Sequence, residues 1–357
     1  MATTIKLLIA QYRLPFPLYY SGAEKSTLEL AMALVEKKVD LTMMFNQAFI
    51  SDKNFETMLI NAGLQYQKTE TGFHYTYKNI AINIYNNAIF FEKYSSFLSQ
   101  YPEAFILHQR NLFAKSEYEK KWYNLFSNAK NHVYFVRSED SLNPLKKVHK
   151  SIKHIIVNSN YMKTEVKKQL NRSSVVLYPS PHEGCVAAKK QAFSNYITFF
   201  NPVNVKGAAI VEWLIKNNPH RYFMIILGWD KVNEMTIDLK KYKRVLEVPS
   251  QENVAEIYSY SRLVLIPSQW EEAFGRVHIE AAMNKIPAII SARGGLKEHF
   301  CGNGILVKDY SNPQAWQDAL EYLDDPSSYQ KAVTKTDEIR KQFSIKKEAS
   351  KLLQALK

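Results

Sequence analysis

Short apolar, β-branched runs alternate with longer stretches of helical periodicity from one end of this chain to the other. Ile5–Ala10 reads as a buried strand. After a loop over residues 11–21, apolar positions at 28, 30, 31, 33, 34 and 35 predict a helix with a wide buried face, and Asp40–Phe45 predicts the next strand. Further apolar runs fall at Phe105–Leu107, Val133–Val136, Ile155–Val157 and Val175–Leu177, with helical stretches between several of them. The aromatic-rich region 66–90 reads as a small β excursion rather than a helix. A second set opens near residue 195. It has strands at Tyr196–Phe200, Phe223–Leu227, Arg244–Val248, Leu263–Pro267, Pro287–Ser291 and Gly304–Val307, and helices at 206–216, 251–260 and 312–323. Persistent strand–helix alternation predicts two parallel α/β layers.

The repeat of one pattern in 357 residues predicts two domains of ordinary size. We place the first at 1–183 and the second at 184–326, with the hinge around residues 181–194. Residues 327–357 read as a charged helical tail. The opening β–loop–α–β order is Rossmann-like, and the default ligand site of two such domains is a cleft at the carboxyl ends of the strands.

Composition narrows the class. No run of eighteen apolar residues offers a membrane span. The first residues run straight into a strand without the basic start and apolar core of a signal peptide. Cys185 and Cys301 match no metal or redox spacing, so a reducing cytoplasm is expected. Net charge is +13 and uneven: residues 1–180 hold 23 Lys and Arg against 14 Asp and Glu, a net of +9. That half suits an acidic partner, whether anionic lipid, a phosphate-bearing acceptor or nucleic acid, or is simply a lysine-rich, soluble surface. Residues 111–130 interleave Lys115, Lys120, Lys121 and Lys130 with Phe113, Tyr118, Trp122, Tyr123 and Phe126. Such a helix suits peripheral contact with a membrane surface, or simply a basic outer face.

The richest stretch is Ser268 to Glu280. A strand is followed by a loop with Glu271 and Glu272, a Phe274-Gly275 turn, and a helix carrying Arg276 and Glu280. A glycine-containing loop at a helix N-terminus gathers free N–H groups and the positive end of the helix dipole, which suits phosphate. Carboxylates beside such a seat need hydrogen-bond donors, and sugar hydroxyls would serve. Glu272 and Glu280, eight apart, with Phe274-Gly275 between them and Gly294-Gly295-x-x-Glu298 downstream, resemble the donor-site signature of retaining glycosyltransferases of family four.

That resemblance implies the B-type glycosyltransferase fold, two facing Rossmann-like domains, and transfer of a sugar from a nucleotide-diphosphate sugar to an acceptor hydroxyl. It is strongest over 196–325 and looser over 1–180. It implies that Glu280 holds the ribose hydroxyls and Glu272 the sugar ring. Lys206 and the backbone N–H groups of Ala273, Phe274 and Gly275 would stabilise the leaving diphosphate. Ser21-Gly22-Ala23-Glu24 resembles the family's Gly-Gly-Ala-Glu loop, with serine at the first glycine, so Gly22 is a donor-side candidate. His108, at a strand end expected to face the cleft, resembles the histidine that contacts the transferred sugar, with Arg110 nearby. Where the family has an arginine before the lysine, this chain has Asn201; Asn201 and Arg276 are therefore candidates for the diphosphate, Arg276 as a compensating charge. Gly228-Trp229 matches a strand-to-glycine element beside the nucleotide.

No Walker loop, full Gly-x-Gly-x-x-Gly, His-Glu-x-x-His or paired Cys-x-x-Cys occurs, so neither a metal nor a cofactor is expected beyond the donor itself. Expected partners are the donor and a carbohydrate, lipid-linked or small-molecule acceptor in glycan, polysaccharide or glycolipid synthesis, with no nucleic acid. Two other classes remain open: a glycosidase using two of Glu271, Glu272 and Glu280, and a weakened or non-catalytic relative that binds anionic ligands or membrane.

Overall fold

The computed structural model describes residues 5–11, 14–19, 21–47, 50–109, 129–148, 150–228 and 233–357. The chain divides into two compact units, Met1–Pro179 with Ile345–Lys357, and Ser180–Ser344. The divide falls a few residues before the expected 183/184 boundary. The returning element is shorter than the expected 327–357 tail.

In the first unit, β1 (Lys6–Gln11), helix α1 (Gly22–Glu36) and β2 (Asp40–Asn46) form the opening β–α–β turn. Helix α2 (Asp52–Asn61) leads to β3 (Tyr66–Thr69), β4 (Gly72–Tyr77) and β5 (Ile80–Tyr85), the β excursion foreseen at 66–90. Helix α3 (Asn87–Gln100), β6 (Phe105–Gln109), β7 (His132–Val136), helix α4 (Leu142–Val148), β8 (His154–Val157), helix α5 (Asn160–Leu170) and β9 (Val175–Val176) complete it. The sheet runs β3-β4-β5-β2-β1-β6-β7-β8-β9, parallel except where β4 pairs with β3 and β5. Fully buried strands such as His132–Val136 follow from helices on both faces.

The second unit begins with β10 (Tyr196–Phe200), helix α6 (Ala208–Asn217), β11 (Phe223–Ile226) and β12 (Val245–Val248). Helix α7 (Val254–Tyr260), β13 (Ser261–Ile266), helix α8 (Arg276–Met283), β14 (Ala288–Ser291) and β15 (Gly304–Val307) follow, then helices α9 (Pro313–Tyr322) and α10 (Pro326–Gln342). Its sheet is wholly parallel in the order β12-β11-β10-β13-β14-β15. Trp316, fully buried, anchors α9 beneath it with Ile197, Phe223 and Leu265.

Helix α10 packs on α8 and stays with the second unit. Only the last helix, α11 (Ile345–Ala355), joins the first. Its Ile345, Ala349 and Leu352 enter the core formed by α1, β1 and β2, and Glu348 accepts the Tyr178 N–H at 3.0 Å. Among the described residues, no helix is long and apolar enough to cross a membrane.

Candidate active site

Strand order in the second sheet reverses between β10 and β13, so the loops leaving these two strands diverge and leave a crevice at their carboxyl ends. Those loops carry Asn201–Gly207 and Pro267–Gly275. After β10 the chain turns at Asn201, whose φ of 60° is left-handed, and its N–H donates to Ile226 O at 2.8 Å. Asparagine tolerates this conformation better than other non-glycine residues. A Cβ at Gly228 would lie 2.3 Å from the Asn201 Oδ1, so the two loops interlock there. Asn201 thus acts in the structure as a turn residue.

Lys206 ends a single 3-10 turn, and Gly207 begins α6 with φ 90°. The pattern alone had run one helix through 206–216. Gly207 breaks it because a Cβ there would lie 2.1 Å from Pro267 O. This close approach brings Lys206 against the other loop. Its Nζ is ion-paired and hydrogen-bonded to Glu272 Oε1, and sits 4.6 Å from the Trp270 ring centroid.

Glu272 is buried and also accepts from Ser268 Oγ at 2.6 Å. Burial opposes its ionisation. The Lys206 charge and hydrogen bonds from Lys206, Ser268 and Trp270 outweigh that and hold its carboxyl below the ordinary range. The loop is clamped by the two glycines after β14. Gly295 N–H donates to Glu272 O at 2.6 Å; Cβ atoms at 294 and 295 would lie 2.3 Å from Glu272 O and 2.5 Å from Ala273 O.

Phe274 is buried, edge-on to His299 at 4.8 Å and to Phe343 at 5.7 Å, so its side chain anchors the loop. Gly275 caps α8 with φ 91° and no side-chain cap; a Cβ there would meet Leu296 Cδ2 at 2.2 Å. The first turn of α8 therefore has no side-chain cap, although its His278 N–H donates to Gly275 O at 3.0 Å, and such a helix end suits an anion.

Arg276 lies beside one of the motif carboxylates. Its Nε donates to Glu280 Oε1 at 2.6 Å, and both side chains are nearly buried. The i, i+4 spacing places them on one helix face, so the structure commits Arg276 to Glu280. The other oxygen, Glu280 Oε2, accepts from Tyr258 Oη at 2.9 Å. Glu271 pairs with Arg293 at 3.1 Å. Glu271, Glu272 and Glu280 thus each have a cationic partner. Sequence reading missed Ser268, Trp270, Tyr258 and Arg293 as partners; the last two lie on other elements, with no spacing signal linking them to the glutamates.

The remaining candidates belong to the first unit. Gly22 is exposed at the first position of α1, and Ser21 is its N-cap, accepting from Ala23 N at 3.3 Å and Glu24 N at 3.5 Å. The serine at the family's glycine position therefore occupies helix N–H groups itself. His108 lies near the end of β6, as expected. It is fully buried, with Nε2 2.8 Å from Tyr94 Oη and its ring 5.3 Å from that of His132. Strand alternation turns His108 to the face covered by α3, while Gln109 faces α1 and bonds Thr27 at 2.8 Å. Burial, and then the neighbouring His132, push the His108 ring well below the usual histidine range. Arg110, the 111–128 part of the basic–aromatic segment, and Trp229 lie outside the described residues; Lys130 is exposed. Among the described residues, no group of three or more His, Cys, Asp or Glu is placed to hold a metal.

Residues 214–338 match the family model described as glycosyl transferases group 1. Over this segment the chain is similar to the group 1 glycosyl transferases. The segment contains the whole Pro267–Glu280 loop and helix, but neither Asn201 nor Lys206. Curated relatives match over shorter spans. Spore coat protein SA of Bacillus subtilis is 29% identical over 86 residues, 24% of this chain and 23% of that protein. D-inositol 3-phosphate glycosyltransferase of Corynebacterium aurimucosum is 43% identical over 82 residues, 22% of this chain and 19% of that protein. The matched span is thus about a quarter or less of those relatives' length. Among solved structures, HepE of Anabaena in complex with UDP and glucose covers 99% of both chains with a TM-score of 0.72 at 14% identity. The chain therefore has the B-type glycosyltransferase fold, two Rossmann-like domains, as the sequence motifs implied.

Proposed function

We propose that this protein is a retaining, metal-independent glycosyltransferase that moves a sugar from a nucleotide-diphosphate sugar to an acceptor hydroxyl. One observation carries the reading. At the switch point of the second sheet, Lys206, the uncapped N-terminus of α8 and the buried carboxylates Glu272 and Glu280 are assembled by three close-approach glycines, 207, 275 and 294. Lys206 and the helix N-terminus oppose charge developing on a leaving diphosphate. Glu280 receives the ribose diol and Glu272 the sugar hydroxyls, each by charge-assisted hydrogen bonds. In a front-face, retaining transfer the departing phosphate oxygen takes the acceptor's proton, so no separate base is required. The relatives' names, one a glycosyltransferase and one a complex with UDP and glucose, support a uridine nucleotide as the first donor to try.

The acceptor is proposed to be anionic or lipid-borne, in glycan, polysaccharide or glycolipid assembly, because the first half carries a net of +9. Action at the cytoplasmic face of a membrane belongs to the same proposal. A glycosidase reading fits less well: a general acid needs a raised carboxyl pKa, and that of Glu272 is lowered. A weakened, binding-only relative is favoured by one observation, the use of Asn201 as a turn residue where the family carries a cation.

Thermal stabilisation by UDP, GDP and their sugars tests the reading. Ligand at a hundredfold over its dissociation constant adds about 2.7 kcal/mol. A shift with one base, followed by sugar transfer to an acceptor panel, is expected. A shift without turnover would select a weakened, non-catalytic relative, and no shift at millimolar nucleotide would overturn the transferase reading and leave a binder of other anionic ligands or membrane.

A further inference from the structure

Tyr258 lies on α7, 22 residues before Glu280, and belongs to none of the motifs. It is fully buried, packed with Val264 and Ala281 and 5.6 Å from the Phe200 ring. Its hydroxyl donates to Glu280 Oε2 at 2.9 Å, while Arg276 Nε holds Oε1 at 2.6 Å. One donor on each oxygen stops the carboxylate turning about its last bond. The helix bearing Tyr258 is itself tied down: Lys190 Nζ donates to the carbonyls of Tyr258 at 2.9 Å and Ser261 at 2.7 Å.

We infer that Tyr258 is a positioning residue that, with Arg276, fixes the plane of the Glu280 carboxylate for recognition of a ribose diol. This rests on the donor-site reading above and adds to it a group that sets its preference for ribose over deoxyribose. Diol recognition demands orientation, because two adjacent hydroxyls must meet two acceptor directions at once. Burial, together with the Glu280 charge, keeps the phenol protonated far above its ordinary range, so Tyr258 serves as a donor at every working pH.

The test is titration calorimetry of UDP and GDP with their 2′-deoxy and 3′-deoxy counterparts on wild type, Tyr258→Phe and Glu280→Gln. Wild type should prefer the ribonucleotide by about tenfold or more, the range of one charge-assisted hydrogen bond. Tyr258→Phe should weaken the ribonucleotide about three- to tenfold and leave the deoxy forms unchanged, so the preference collapses; in turnover, KM should rise more than kcat falls. Equal weakening of ribo and deoxy forms, or no change in either, overturns the inference, since a merely structural tyrosine would act on both alike. If Tyr258→Phe does not fold, Tyr258→Phe/Glu280→Gln is compared with Glu280→Gln alone: equal ribonucleotide affinities support the coupling, and a further threefold loss overturns it. A wild type that binds neither diphosphate removes the donor reading, and this inference with it. A wild type that binds both forms equally leaves the donor site standing and removes only the ribose assignment.

Discussion

Lys206 and Glu272, 66 residues apart in sequence, form one ion pair between the loops that leave β10 and β13. In the proposed reaction these two groups have different customers, the diphosphate and the sugar. Donor binding must therefore exchange their mutual pairing for two ligand contacts.

Glu272→Gln should separate these roles. With the carboxylate gone, Lys206 is released, and UDP or GDP should bind as tightly as to wild type or severalfold tighter, while sugar transfer falls by about a hundredfold. Weaker nucleotide binding in this variant would show that the pair does not compete with the diphosphate.

Lys206→Met should act in the opposite sense on binding. Nucleotide affinity should drop at least tenfold. The fold should also lose roughly 1–3 kcal/mol, because Glu272 is left buried without its cation while part of the lysine was already exposed to water. The depressed carboxyl of Glu272 contributes stability that is full above its unfolded pKa of about 4.3 and is lost as pH falls through its lower folded value. Denaturant melts below pH 4.5 should show that loss in wild type and not in Lys206→Met.

Gly294→Ala should disable the loop directly. The new Cβ would stand 2.3 Å from Glu272 O and 2.8 Å from Glu272 N, on a residue with φ 50°. We expect a loss above about 2 kcal/mol and no nucleotide-induced shift in melting temperature. An unperturbed melt with normal nucleotide binding would mean the loop can move aside freely.

Two buried histidines of the second unit set an acid limit. Burial, with His299 nearby and against the Asn303 bond, draws His278 down to about 4; burial likewise draws His299 to about 4 despite Glu298. The folded state thus holds fewer protons than the unfolded state between about pH 6.5 and 4. Stability should be intact near pH 7 and fall on acidification by about 1.4 kcal/mol per pH unit for each histidine in that window. His278→Gln should flatten the slope of melting temperature against pH over that interval; an unchanged slope would clear His278 of the effect.

The elements themselves were legible because strands and helices advertise their periods locally. Ile5–Ala10, the β excursion at 66–90 and the strands of the second sheet appear within a residue or two of their reading. Gly275 and Gly294 were visible in the motif, and the paired glutamates as a spacing. What stayed hidden was every relation between elements. Gly207 breaks a helix the pattern had run through, because the carbonyl of Pro267 lies against it. His108 sits at the expected strand end, yet α3 covers its face and Tyr94 takes its hydrogen bond. Lys206 and Arg276 read as cations for phosphate, and the fold pairs both with carboxylates. Tyr258 has no local mark at all. A sequence records the period of each segment, which depends on near neighbours, whereas the partner of a buried charge is set by which distant loops the sheet order brings to one crevice.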